Sequence, residues 1–122
     1  MTYGNYASCS AISLYPHCAG RPYREGDPIC DRFQISLYQN RIICCLTDGC
    51  NWGDKPRKAS RIANKVITQY VKYNIEKIID VQSAIFTLLA AFSSAQLSII
   101  DGDDQEWRPG TTTASAGLLL EV

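Results

Sequence analysis

Arg41-Ile42-Ile43-Cys44-Cys45-Leu46-Thr47-Asp48-Gly49-Cys50-Asn51-Trp52-Gly53 decides how the chain reads. Its apolar run, Ile42 to Leu46, shows no alternation and reads as a strand covered on both faces. The run ends in an acidic residue and a glycine. Pro56 then opens a helical pattern. A strand that delivers a carboxylate to a tight turn before a helix holds that carboxylate at the mouth of a sheet. Asp48 is therefore the residue around which the rest is arranged.

Upstream, Asp31 to Gln39 alternates cleanly. Phe33, Ile35 and Leu37 point one way, and Arg32, Gln34, Ser36 and Tyr38 the other. Gln39-Asn40 makes a short turn, so 31–39 and 41–47 form a hairpin. Further back, residues 3–15 read as a first strand ended by Pro16. The loop from Pro16 to Pro28 holds the single histidine, His17, which reads as a solvated turn residue.

Downstream, a helix is expected over about 55–73, with Asp54 as its N-cap and Asn74 as its break. Ala59, Ile62, Ala63, Val66, Ile67, Tyr70 and Val71 make its apolar stripe, and Arg57, Lys58, Arg61, Lys65 and Lys72 a solvated face. A second helix spans about 80–99. Its stripe is Val81, Ala84, Ile85, Leu88, Leu89, Phe92, Ala95 and Ile99, with small and apolar residues spilling around the sides. Such a helix is expected to be covered on more than one side. The acidic loop from Asp101 lacks the ligand spacing of an EF-hand. Residues 111–122 read as a last strand, rich in threonine at its start.

A length of 122 residues suits one domain or part of a larger one, and 46% hydrophobic residues supply a core. Twelve basic and twelve acidic residues cancel, so no long-range field draws nucleic acid or an anionic membrane. The longest apolar run, Ala84 to Phe92, is too short to span a bilayer. Six cysteines could make three disulfides in a secreted chain. Without a leader-like N-terminus, reduced thiols in a cytoplasmic or other intracellular setting are the expectation. No C-x-x-C knuckle, Walker A loop, cysteine-phosphatase loop or G-x-S-x-G elbow occurs.

One pattern remains: strand, Cys30-Asp31-Arg32-Phe33, hairpin, apolar strand, Asp48-Gly49, two helices, then Gly110-Thr111-Thr112-Thr113 and a strand. It resembles the front half of the metal-dependent type 2C (PPM) protein phosphatases, from about Gly20 to Val122. The resemblance implies part of an α-β-β-α sandwich. It also implies manganese or magnesium held by the Asp48 carboxylate and the Gly49 carbonyl, with Asp31 supporting them and Arg24 or Arg21 near the phosphate. Paired ions of this kind activate water for hydrolysis of a phosphoprotein. The sequence also departs from the family. Cys30 stands where a glutamate is usual, and Cys50 where a histidine donates a proton. The aspartates that complete the dinuclear site belong to the family's back half.

The expectation is therefore an α+β chain, an antiparallel sheet on two antiparallel helices, that lacks turnover by itself. The alternative is a phosphatase-like domain used for regulation or for binding a protein partner. In a third reading Asp48 merely caps a turn or the following helix. Open sheet edges and one open sheet face are expected to favour a homodimer.

Overall fold

A computed structural model describes the backbone of residues 5–7 and the residues 12–38, 40–101 and 109–120. The chain is α+β. Strands β1 (Asn5–Ala7), β2 (Arg32–Tyr38), β3 (Arg41–Gly49) and β4 (Thr112–Leu120) form one antiparallel sheet in that order. The last three are long and β1 is a short edge. Helices α1 (Asp54–Tyr73) and α2 (Val81–Asp101) follow β3, joined through a short 3-10 turn at Ile75–Lys77. The expected first strand is cut back: residues 12–16 carry no strand, and 8–11 lie outside the described residues. The acidic loop also falls outside them, apart from its first residue, Asp101.

β3 is central, paired with β2 from Tyr38↔Arg41 to Arg32↔Thr47 and with β4 from Arg41↔Leu120 to Gly49↔Thr112. Its burial alternates, with Ile43, Cys45, Thr47 and Gly49 buried. This corrects the expectation of a strand covered on both faces, since Leu46 on the other face is 55% exposed. Burial pushes the Cys45 thiol up to about 11, so it acts as a small apolar side chain.

β2 turns its polar stripe toward the helices, because Ser36 and Gln34 lie across from Ile43 and Cys45. Phe33, Ile35 and Leu37 therefore share the outer face with Ile42, Cys44 and Leu46. A hydrogen-bonded belt satisfies the buried polar groups. The Thr47 hydroxyl donates to the Ser60 carbonyl at 3.1 Å, Asn64 Nδ2 to the Cys45 carbonyl at 3.3 Å, and the Thr68 hydroxyl to the Asn64 carbonyl of its own helix at 2.8 Å. Arg32 Nε is buried without a partner among the described residues. Beside the belt, Ile43, Ile67, Val71 and Ile78 form the apolar core with Ala63, Ala84, Ala91 and Ala95.

α1 begins one residue before its expected start. Gly53, at φ 114°, takes the N-cap position instead of Asp54, and no side chain caps the helix. Asn74 ends it, as its place in the sequence predicts. Reciprocal bonds fix the start of α2. Ser83 N–H donates to Asp80 Oδ1 at 2.7 Å, and Asp80 N–H to Ser83 Oγ at 3.0 Å.

α1 contacts β2, β3 and β4, whereas α2 packs chiefly on α1. Only Ala84, Ala91 and Ala95 of α2 are buried. The expected cover on several sides is absent among the described residues. By length and a mean hydropathy of 1.7, α2 is also long and apolar enough to cross a bilayer, a property that core helices share. The run from Ala84 to Phe92, interrupted by Thr87, understates this, because Val81, Leu97, Ile99 and Ile100 extend the apolar content of the helix on either side.

Candidate functional site

The hairpin register builds the site. Arg32 pairs with Thr47, so one step further Asp31 stands across from Asp48, and the Gly49 N–H donates to the Cys30 carbonyl at 3.3 Å. β4 closes the other side, with Thr113 opposite Asp48 and Thr112 opposite Gly49. The Thr112 hydroxyl donates to the Asp48 carbonyl at 2.8 Å, and the Cys50 N–H to the Thr111 carbonyl at 2.9 Å. Asp-Gly and the threonine run are thus neighbours, although more than sixty residues separate them in the chain.

Gly49 has a packing reason as well. A Cβ there would lie 2.5 Å from the Pro56 carbonyl oxygen and 2.9 Å from Cys30 Cβ. Gly110 likewise leaves no room for a side chain against the backbone of Lys55. Two glycines therefore let the start of α1 sit directly on the ends of β3 and β4.

The Asp31 carboxyl is held above its ordinary value by desolvation, then by its hydrogen bond to Asp48, then by the Asp48 charge. Asp48 caps no helix, since α1 lacks a side-chain cap. Both aspartates open into a cleft of about 420 Å³ lined also by Tyr15, Cys30, Cys50 and Trp52. Trp52 and Tyr15 form its rim, their ring centroids 6.0 Å apart and tilted by 59°. Asn51, at φ 69°, makes the turn that presents Trp52.

The cysteines at the two divergent positions differ. Cys50 is exposed. Cys30 is buried, and its thiol faces the Pro28 carbonyl at 3.3 Å and the Gly53 carbonyl at 3.6 Å. Arg24 donates to the Tyr15 carbonyl at 3.0 Å, and its N–H to Asp27 Oδ2 at 2.7 Å. It organises the loop and does not line the cleft. Arg21 is occupied with Tyr23, both by a hydrogen bond and by stacking 5.5 Å over its ring. His17 is exposed and bridges to Arg24.

The aromatic rim was not part of the sequence reading. Its one signal is Trp52 beside Asn51 in an otherwise polar turn. The carboxyl pair has a measurable consequence. Because the folded value of Asp31 is raised, its favourable contribution is complete below the ordinary value of 3.8 and is lost as pH rises through the folded value. Asp31→Asn is therefore expected to raise Tm near neutral pH by roughly 2–4 °C. The gain should vanish in melts recorded below pH 3.8. An unchanged or lower Tm at neutral pH would contradict the pairing.

The oxygen donors gathered here are the Asp48 and Asp31 carboxylates and the Gly49 carbonyl, which suit a hard cation such as magnesium or manganese. Among the described residues no group of three or more His, Cys, Asp or Glu is assembled. The donor set fits one largely hydrated ion and falls short of a two-ion centre. Comparison with known proteins gives no match to a family model, to a curated protein or to a solved structure.

Proposed function

We propose that this chain is a portion of a type 2C phosphatase-like domain that binds a divalent cation and a protein partner without turning over phosphoprotein itself. The observation that carries this reading is the meeting of Asp31, Asp48-Gly49 and the threonine run at one sheet end. A single magnesium or manganese ion would relieve the repulsion between the two carboxylates. Bound there, it would offer Lewis acidity to an anionic group in the cleft. The chain's own residues would hold that group beside Trp52 and Tyr15.

The absence of turnover follows from the residues around the pair. Cys30 directs its thiol at backbone carbonyls, so it replaces neither the charge nor the water-holding role of a carboxylate. Arg24 and Arg21 are engaged within the loop. In this reading the outer sheet face of Phe33, Ile35, Ile42 and Leu46 is the one a second sheet covers in a sandwich. The β4 edge is then open to pairing with a second copy.

Calorimetric titration with Mn²⁺ tests the site. The wild-type chain is expected to bind one ion, and Asp48→Ala roughly tenfold or more weakly, about 1.4 kcal/mol. Equal binding by the two proteins would remove the metal assignment. Manganese-dependent hydrolysis of a phosphoserine peptide, abolished in Asp48→Ala, would instead favour an active phosphatase.

A further inference from the structure

The guanidinium of Arg32 supports a separate interaction. Side chains alternate along β2, so Arg32 stands with Gln34 and Ser36 on the face that meets α1, across from the buried Thr47. Asp31, one residue earlier, turns the other way and bonds Asp48 instead. Arg32 Nε is buried, and among the described residues no acceptor reaches it. A buried donor on a charged group, left unpaired, carries a desolvation cost that an anionic oxygen would offset.

α1 adds cations beside it. Ser60 meets Thr47 and Asn64 meets Cys45, so the Arg32 rung lies at the level of Ser60. Arg57, Arg61, Asn64 and Thr68 form one stripe of the helix at steps of three and four. That stripe looks to β2, because Thr68 Oγ1 lies 3.4 Å from Gln34 Oε1. It therefore carries Arg57 and Arg61 to the level of Arg32. The only acid on α1 is Asp54, 92% exposed and 3.8 Å from Arg57, against six lysines and arginines.

We propose that Arg32, Arg57 and Arg61 form a docking site for an acidic segment of a protein partner, whose aspartate or glutamate carboxylate enters between β2 and α1 to meet the Arg32 guanidinium. The fork of a guanidinium matches a carboxylate with two parallel hydrogen bonds. Nucleic acid and anionic membranes are poorer fits. The exposed residues of α1 from Arg57 to Gln69 are Arg57, Lys58, Arg61, Lys65 and Gln69. None offers a ring on which a base could stack or an apolar chain to enter a bilayer. Charges cancel over the whole chain, so no long-range field gathers a polyanion. The site shares no side chain with the carboxylate cleft and rests on neither its cation nor the phosphatase resemblance.

NMR of the arginine Nε–H groups in the full chain tests it, in EDTA and about 0.1 M salt, with a peptide of alternating glutamate and glycine as the probe. The Arg32 signal is expected to shift and saturate. Arg32→Gln and Arg61→Gln should each weaken binding roughly tenfold, read by fluorescence anisotropy of the labelled peptide. Lys72 lies about 16 Å along the helix from Arg61, beyond the Debye length, so Lys72→Gln should change binding less than about twofold. Circular dichroism checks each fold. If Arg32→Gln unfolds, Arg61→Gln decides, because that position is exposed. An unmoved Arg32 signal would overturn the proposal, as would undiminished binding by the folded variants. So would equal losses from Arg61→Gln and Lys72→Gln, equal binding of a glutamine–glycine peptide, or tighter binding of oligothymidylate than of the acidic peptide.

Discussion

Gly49→Ala is expected to lower Tm by roughly 10–20 °C, a loss of about 3 kcal/mol. The added methyl would sit 2.5 Å from the Pro56 carbonyl oxygen and 2.8 Å from its carbon. Both are backbone atoms at the start of α1, so the helix end must lift from β3. Differential scanning calorimetry in EDTA separates this packing role from any part Gly49 plays in holding a cation. Gly117→Ala is the control. It lies in β4 with nothing within 4 Å of an added Cβ, and should change stability by less than about 0.5 kcal/mol. Equal melting of the two variants would mean that α1 does not seat on the end of β3.

The second large effect concerns the two faces of β3. Ile43 is fully buried beneath the helices, whereas Leu46 is 55% exposed on the outer face. Ile43→Ala should cost about 2–5 kcal/mol, a large share of the roughly 5–15 kcal/mol typical of a domain. Leu46→Ala should cost less than about 1 kcal/mol. Urea titration of both variants measures the contrast. A larger loss from Leu46→Ala would show that the outer face is covered in solution. Ile67→Ala, in the same buried cluster, should resemble Ile43→Ala, and the double variant should lose less than the sum.

Element positions were legible because they rest on local signals. Expected helices over 55–73 and 80–99 became Asp54–Tyr73 and Val81–Asp101, and the hairpin lies where its alternation and turn put it. Facing was harder to read. β2 alternates unambiguously, yet alternation does not say which stripe meets the helices. Here register on β3 decides, because Ser36 and Gln34 lie across from the buried Ile43 and Cys45. α2 is apolar almost all round, so its periodicity holds no phase. Its contact with the core combines the buried alanines with the partly buried Leu88, Phe92 and Ile99. In the cleft, Asp31 and Asp48 are set together by hairpin register and were readable. Tyr15 and Trp52 meet only through loop geometry. So does the engagement of Arg24, which no spacing rule reveals.

The belt beneath the sheet also acts as a ruler. Ser60 and Asn64 lie four residues apart, about 6 Å along a helix. Thr47 and Cys45 recur every two, about 6.6–6.8 Å along a strand. The two spacings nearly match, so the Thr47–Ser60 and Asn64–Cys45 bonds fall in step. Sliding α1 by one turn would strand several of these groups, each at about 1–3 kcal/mol. Oily contacts alone tolerate such slippage, whereas directional ones count residues. The distance from the head of α1 to Asp48 is thereby fixed by a row of amides and hydroxyls that never touches the carboxylate.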